Sequence, residues 1–365
     1  MAFVNFNTLT GDNGAIRRLA ELLFTTAFKE SDLSAVVSIK TGQKNGGKMD
    51  WLNMLAAVPV AKKGGNCNPT YASLTLTGAE KSWNFGEYNV PIEICADAFK
   101  AAVNDCFKNG ILQGELNTGT RQPDITGTRI AEEIILPLVS NALREAMWRI
   151  GFFGDKAADH VSGGGVITNG TDLDLIQICD GLFKKAATII TNDSNKLTDF
   201  SAVNGAASYA AQKAAAAVSG VATTFIETLL QDADSRIVAN GGKLKMTNLM
   251  FQALRKDYNA QYHATIPFEN VARGVHISEY DGVQIEVLPE WDYCINKYEN
   301  DGTKWNNPYR VILASRENMF IGTTDENLVP DIELSYDTRT RTNLLFAKSD
   351  IDTNYGEDDL VQFGW

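Results

Sequence analysis

An α+β fold is predicted for this chain by three features of its sequence. Residues 128–155, TRIAEEIILPLVSNALREAMWRIGFFGD, place apolar residues four apart at Ile130, Ile134, Leu138, Ala142, Ala146 and Ile150. Ile135, Val139 and Leu143 widen that row into the broad stripe of an amphipathic helix. Residues 36–94 alternate apolar and polar side chains on either side of a turn-rich tip, which reads as a long hairpin excursion. From Leu173 to about Val329, helical and alternating stretches succeed one another, which predicts a mixed domain inserted in a discontinuous flanking one.

The elements follow in order. After the polar opening MAFVNFNTLTGDNG, a helix is expected from Ala15 to Phe28, with Ile16, Leu19, Ala20, Leu23 and Phe24 on one face. It either reaches to a partner or folds back on its own domain. The outgoing leg of the hairpin carries WLNMLAAVPVA, the tip is KKGGNCNP (62–69), and Leu74 and Leu76 alternate with Ser73, Thr75 and Thr77 on the return. Trp83, Phe85, Tyr88, Val90, Ile92 and Ile94 continue the apolar content to Cys95. A two-stranded ribbon is marginal in water by itself, so one this apolar needs cover, from a neighbouring subunit or from a large sheet of the same chain.

A helix is expected over residues 97–110, with Phe99, Val103 and Phe107 four apart. The long helix after it is capped by Thr128, kinked or split by Pro137 and stopped by Gly151 and Gly154. The run VSGGGVITNG fits neither phosphate-binding glycine motif and reads as a flexible boundary between domains. Leu173–Thr191 looks helical, and residues 206–239 look like two helices broken near Ser219-Gly220. A strand at Lys243–Met246 leads to a helix capped by Thr247, with Leu249, Met250, Ala253 and Leu254 inward. Asp281-Gly282 is the turn of a hairpin whose return leg alternates Val283, Ile285 and Val287. PYRVILAS is a further strand, closed by a turn and a short second strand in RENMFIGTTD. Strands return in DIELSYDTRTRTNLLF, which puts Arg339 and Arg341 on one face if extended, and in LVQFGW.

Composition narrows the function. With 365 residues, 44% apolar and 21% charged, the chain is long enough for two domains and a sizeable core. A net charge of −12 argues against a surface that grips nucleic acid throughout, though it leaves room for a local basic patch. Five scattered cysteines without a CxxC signal neither a disulfide framework nor a zinc site, and reduced thiols are the plain reading. No apolar run reaches membrane-spanning length, and the start lacks a signal-peptide pattern.

Catalytic signatures are missing. His160, His263 and His276 are too far apart for a local metal motif, and there is no HExxH and no GxSxG. The paired aspartates of TDLDL lack calcium-loop spacing and read as a helix start. Arg339 and Arg341 could meet phosphates, but acidic groups of a neighbour or of the same sheet are the simpler partners. No catalytic residue, cofactor or metal ligand is therefore assigned.

Taken together, the order of these parts resembles the major capsid proteins of tailed bacteriophages. It comprises an arm, an apolar hairpin, a long helix ending WRIGFFGD, a glycine-rich joint, the ALRKDY helix, the YDGVQIEVLPE hairpin, VILASRENMFIGTTD and a strand-rich tail. The resemblance spans most of the chain from Val36 onward. It implies a Hong Kong 97-like capsid fold with an N-terminal arm (1–35), an extended loop region (36–96) and a peripheral domain (97–165 and 330–349). That domain carries a spine helix at 128–150, and an axial domain (166–329 and 350–365) completes the set. It further implies a shell built from pentamers and hexamers of the chain itself, assembled in the host bacterial cytoplasm and enclosing double-stranded DNA without reading its sequence. A portal and a separate scaffolding or head-decoration protein are the implied partners, and no membrane is. The chain starts almost directly at the arm, so a separate scaffold or a cleaved leader is expected, and Met1 favours the former. Some relatives cross-link a loop lysine to a neighbour's asparagine. Lys62, Lys63 and Lys81 lie in that region but read as solubilising. Inter-subunit contacts are expected at Phe3, Phe6, Trp51, Leu55, Val58, Leu74, Trp83, Phe85, Arg339 and Arg341. The alternatives are an encapsulin-like nanocompartment shell and, in another class, a soluble enzyme.

Overall fold

The computed structural model describes residues 32–52, 78–95, 136–263, 269–270, 276–325, 331–337, 339 and 342–365. The expected helices at Ala15–Phe28 and 97–110, and the hairpin tip at 62–69, lie outside them.

Two sheets organise the described chain. The larger has seven strands: β5 (Leu197–Thr198), β6 (Lys243–Met246), β7 (Glu269–Asn270), β8 (His276–Tyr280), β9 (Val283–Val287), β10 (Val311–Ala314) and β14 (Val361–Gly364). Their spatial order is β5-β14-β10-β6-β9-β8-β7. The central strand β10 is buried on both faces, which is why VILA is apolar without alternation. Val311 and Leu313 face one core, with helices α6 (Val221–Asp232) and α8 (Asn248–Tyr262). Ile312 and Ala314 face the other, with α2 (Leu136–Phe153), α3 (Leu182–Asn192) and α9 (Pro289–Tyr298). The result is a helix–sheet–helix sandwich.

Local chemistry explains several elements directly. Thr247 accepts a hydrogen bond from the Met250 backbone N–H at 3.3 Å and starts α8, which buries Met250 and Leu254. Asp281 and Gly282 both have positive φ, 50° and 76°, as the tight turn between β8 and β9 requires. After a short helix, α4 (Ser201–Asn204), the break between α5 (Tyr209–Ala216) and α6 falls at Gly220, and a further short helix, α7 (Ser235–Ala239), follows.

The second sheet has five strands. In it β1 (Ser38–Lys40) pairs with β11 (Met319–Gly322), β11 with β13 (Thr342–Tyr355), and β13 with both β12 (Asp331–Asp337) and β4 (Gly86–Cys95). Pro91 is tolerated in β4 because, among the described strands, β4 pairs on one side alone. A short helix, α1 (Asp32–Val36), which the sequence did not announce, buries Leu33 and Val36 in the same core as α2. Finally, β2 (Lys48–Leu52) and β3 (Gly78–Ser82) form a two-stranded antiparallel ribbon.

Several expectations change in the folded chain. The described part of the long helix runs Leu136–Phe153, and Thr128 with the stretch that leads into Pro137 lies outside the described residues. Gly151 does not stop that helix. It lies inside it because a Cβ there would come within 3.0 Å of Ile321 Cδ1, and tertiary packing outweighs the local signal. The buried face runs Leu143, Met147, Ile150, while Ala142 is exposed; Trp148 and Phe152 add two stacked rings with centroids 5.3 Å apart. Full burial of each such side chain contributes about 1.5–3 kcal/mol. The expected helix Leu173–Thr191 is a 3-10 turn at Leu173–Leu175 and then α3, which starts only after Gly181. The glycine-rich run is not a loose joint: Val161 N–H donates to Ile167 at 2.9 Å, Thr168 N–H donates to Tyr298 at 2.8 Å, and Ile167 is buried. Residues 86–95 are not part of the excursion, since β4 pairs with β13. Strands β10 and β11 belong to different sheets rather than to one closure, because the 3-10 turn Arg316–Asn318 carries the chain across.

Candidate assembly elements

The feature that stands apart from both sheets is the β2/β3 ribbon. Its register pairs Lys48 with Ser82, Asp50 with Glu80 and Leu52 with Gly78, so the chain leaves through β2 and returns through β3. The base of the ribbon is held by its own chain. Gly46 N–H donates to Trp83 O at 2.9 Å and Trp83 N–H donates to Gly47 O at 3.0 Å. The Trp83 ring is 1% exposed, and a Cβ on Gly322 would stand 2.7 Å from its Cζ3. The ring thus fills the space left by the glycine of β11. Phe85 stacks on Trp83 with centroids 5.7 Å apart.

Polar contacts surround this seat. Asn84 N–H donates to Asp352 Oδ2 at 2.8 Å, and the Asn84 carbonyl accepts from Lys156 Nζ at 3.2 Å. Burial of the Asp352 carboxyl raises its pKa, while the Asn84 N–H and the Lys185 ammonium, 4.0 Å away, pull the other way. One turn up the ribbon, Lys81 Nζ donates to the Tyr355 carbonyl at 2.9 Å and pairs with Asp358.

A second polar cluster ties the long helix to the seven-stranded unit. Arg149 Nη1 donates to Glu145 Oε2 at 2.6 Å and to the Tyr298 hydroxyl at 3.0 Å, and its Nε donates to Leu175 O at 3.1 Å. The Tyr298 hydroxyl donates to the other Glu145 oxygen, and Lys297 stands 3.8 Å from it. Arg149 is 7% exposed, so these bonds satisfy a guanidinium that would otherwise be buried bare.

The expected contact residues separate into three groups. Phe3, Phe6, Leu55, Val58, Leu74 and Arg341 lie outside the described residues. Trp51 stands in β2 opposite Ala79, and the structure describes its backbone. Arg339 is exposed in a turn, not in an extended run, and Asp337 pairs directly with Thr342. Trp83 is the correction: its ring is covered by its own chain, so it acts as an anchor of the ribbon and offers no face to a neighbour. Phe85 is half-buried beside it. Lys81, expected to be a solubilising lysine, is instead paired within its own chain, and Gly322, Asp352 and Asp358 carry no sequence signal, because their partners are remote in sequence. Among the described residues there is no group of three or more His, Cys, Asp or Glu arranged to hold a metal. Among them, too, no single helix is long and apolar enough to cross a membrane.

No family model matches the sequence, and no curated protein matches it. Solved structures do. A chain of the satellite phage P4 procapsid including size determination (Sid) protein matches with a TM-score of 0.50 at 10% identity, covering 94% of this chain and 98% of that one. A chain of Gordonia phage Cozz matches with a TM-score of 0.49 at 11% identity, covering 92% and 85%. One of Mycobacterium phage Ogopogo matches with a TM-score of 0.47 at 12% identity, covering 92% and 91%. At such identities the first match establishes a shared fold along nearly the whole of both chains.

Proposed function

We propose that this chain is a major capsid protein of a tailed bacteriophage, which assembles with copies of itself through pentamers and hexamers into an icosahedral head around double-stranded DNA. The observation that carries the reading is the match of fold with a chain from a phage procapsid, which covers 94% of this chain and 98% of that one. The β2/β3 ribbon supports it: a two-stranded element set apart from both sheets is the kind of part that gains stability by lying on another copy. Heterologous contacts of this sort close into rings and shells when the rotation between copies allows. Many modest interfaces then add up through multivalency. The acidic balance of −12 suits a container that surrounds DNA without gripping it.

Assembly tests the proposal. The full chain, expressed alone and together with a scaffolding protein if one is needed, is sedimented and imaged. Rings of five or six copies or closed particles are expected, whereas persistent monomers under every assembly condition overturn the reading.

A further inference from the structure

The base of the ribbon contains two kinds of hold, and they differ in chemistry. The lower hold is steric and hydrogen-bonded, around a buried ring. Trp83 is buried against Gly322, its backbone exchanges hydrogen bonds with Gly46 and Gly47, and Asn84 N–H is bound by the buried Asp352. The upper hold is ionic and wet. Lys81 is about one-fifth exposed and Asp358 nearly half exposed, and together with the Tyr355 carbonyl they connect β3 to the end of β13.

We propose that the direction of the ribbon is set inside its own chain, by a fixed bearing at Trp83 and Gly322 and a releasable tether between Lys81 and the Tyr355–Asp358 segment. The bearing cannot slide, because the ring fills a notch that exists only where a side chain is missing. The tether can release, because an exposed ion pair is weakened by salt and by water. With the tether closed the ribbon leans on the C-terminal end of β13. With it open the ribbon pivots about Trp83 while Asn84 stays bound. The inference deepens the shell reading and rests on it for what the ribbon eventually meets: another copy would receive an element already aimed, so less of its orientation has to be fixed on contact.

Hydrogen exchange on the full-length, unassembled chain tests this and does not depend on whether shells form. In Lys81→Met, amides of 78–82 are expected to exchange about threefold to tenfold faster than in the native chain at low salt, the range that one partly exposed charged contact confers. Peptides covering 84–90 keep their native protection. Asp358→Asn, at a more exposed position, moves 78–82 in the same direction by less. The native chain in high salt approaches Lys81→Met. Equal exchange of 78–82 in the native chain and both variants overturns the tether. Loss of protection at 84–90 in step with 78–82, while peptides containing Met147 and Trp148 stay protected, overturns the independent bearing.

Discussion

Trp83 and Gly322 form a ring-and-notch pair: the indole of the residue that closes the ribbon occupies the space a Cβ on β11 would need, 2.7 Å from Cζ3. The notch makes the two positions a unit. Ala at Gly322 pushes the ring out of its seat or forces β11 away from β13. A loss of about 1–3 kcal/mol, typical of overpacking, is expected in urea unfolding of Gly322→Ala. A variant as stable as the native chain would show that the ring has room to move.

Asp292 supplies a pH signal. Its oxygens accept the Asn248 and Leu249 N–H groups at 2.6 and 3.1 Å, capping α8 from α9. Burial nevertheless raises its pKa to about 6, the backbone bonds opposing without cancelling it. Between the unfolded value near 3.8 and about 6 the folded chain therefore holds a proton that the unfolded chain has lost. Stability contributed by Asp292 is largest near the lower value and falls as pH rises to about 6. The stability difference between the native chain and Asp292→Asn is expected to shrink across that window and level off above it. A difference that grows with pH would contradict the assignment.

Lys245 behaves as a buried base in mid-sheet. Its Nζ donates to Ala314 O at 2.8 Å and lies 3.8 Å from Glu286, which Lys243 also pairs at 2.6 Å. Burial lowers its pKa to about 8, with Glu286 opposing. Between about 8 and the unfolded 10.5 the unfolded chain binds the extra proton, so this group makes stability rise with pH. Lys245→Met removes that alkaline rise and leaves Glu286 paired with Lys243 alone, which lowers stability at neutral pH. Chemical denaturation at a series of alkaline pH values checks both points.

What could be read in advance was whatever a few neighbouring residues decide. Thr247 and its following helix, the Asp281-Gly282 turn, the strand Lys243–Met246 and the break at Gly220 all depend on local dihedral and capping preferences, and all stand in the fold. Gly151 misled because its role is contact with Ile321 on another element. Strands β10 and β11 follow each other closely in sequence yet join different sheets, because adjacency along the chain says nothing about which sheet a strand enters. The holds on the ribbon were illegible for the same reason. Lys81 and Asp358 are 277 positions apart, and Asn84 and Asp352 are 268 apart. Trp83 looked like an exposed apolar residue in need of a partner, and the partner is a glycine, which leaves no mark in an apolar pattern.

The central claim is that copies of this chain make a closed lattice in which the ribbon of one covers another. A cryo-electron microscopy map of particles from the full-length chain tests it most directly. The account predicts five- and six-membered rings in a closed shell, with residues 48–52 and 78–82 crossing onto a neighbouring copy. A map in which the chain forms no lattice, or in which the ribbon lies wholly on its own chain, would contradict it.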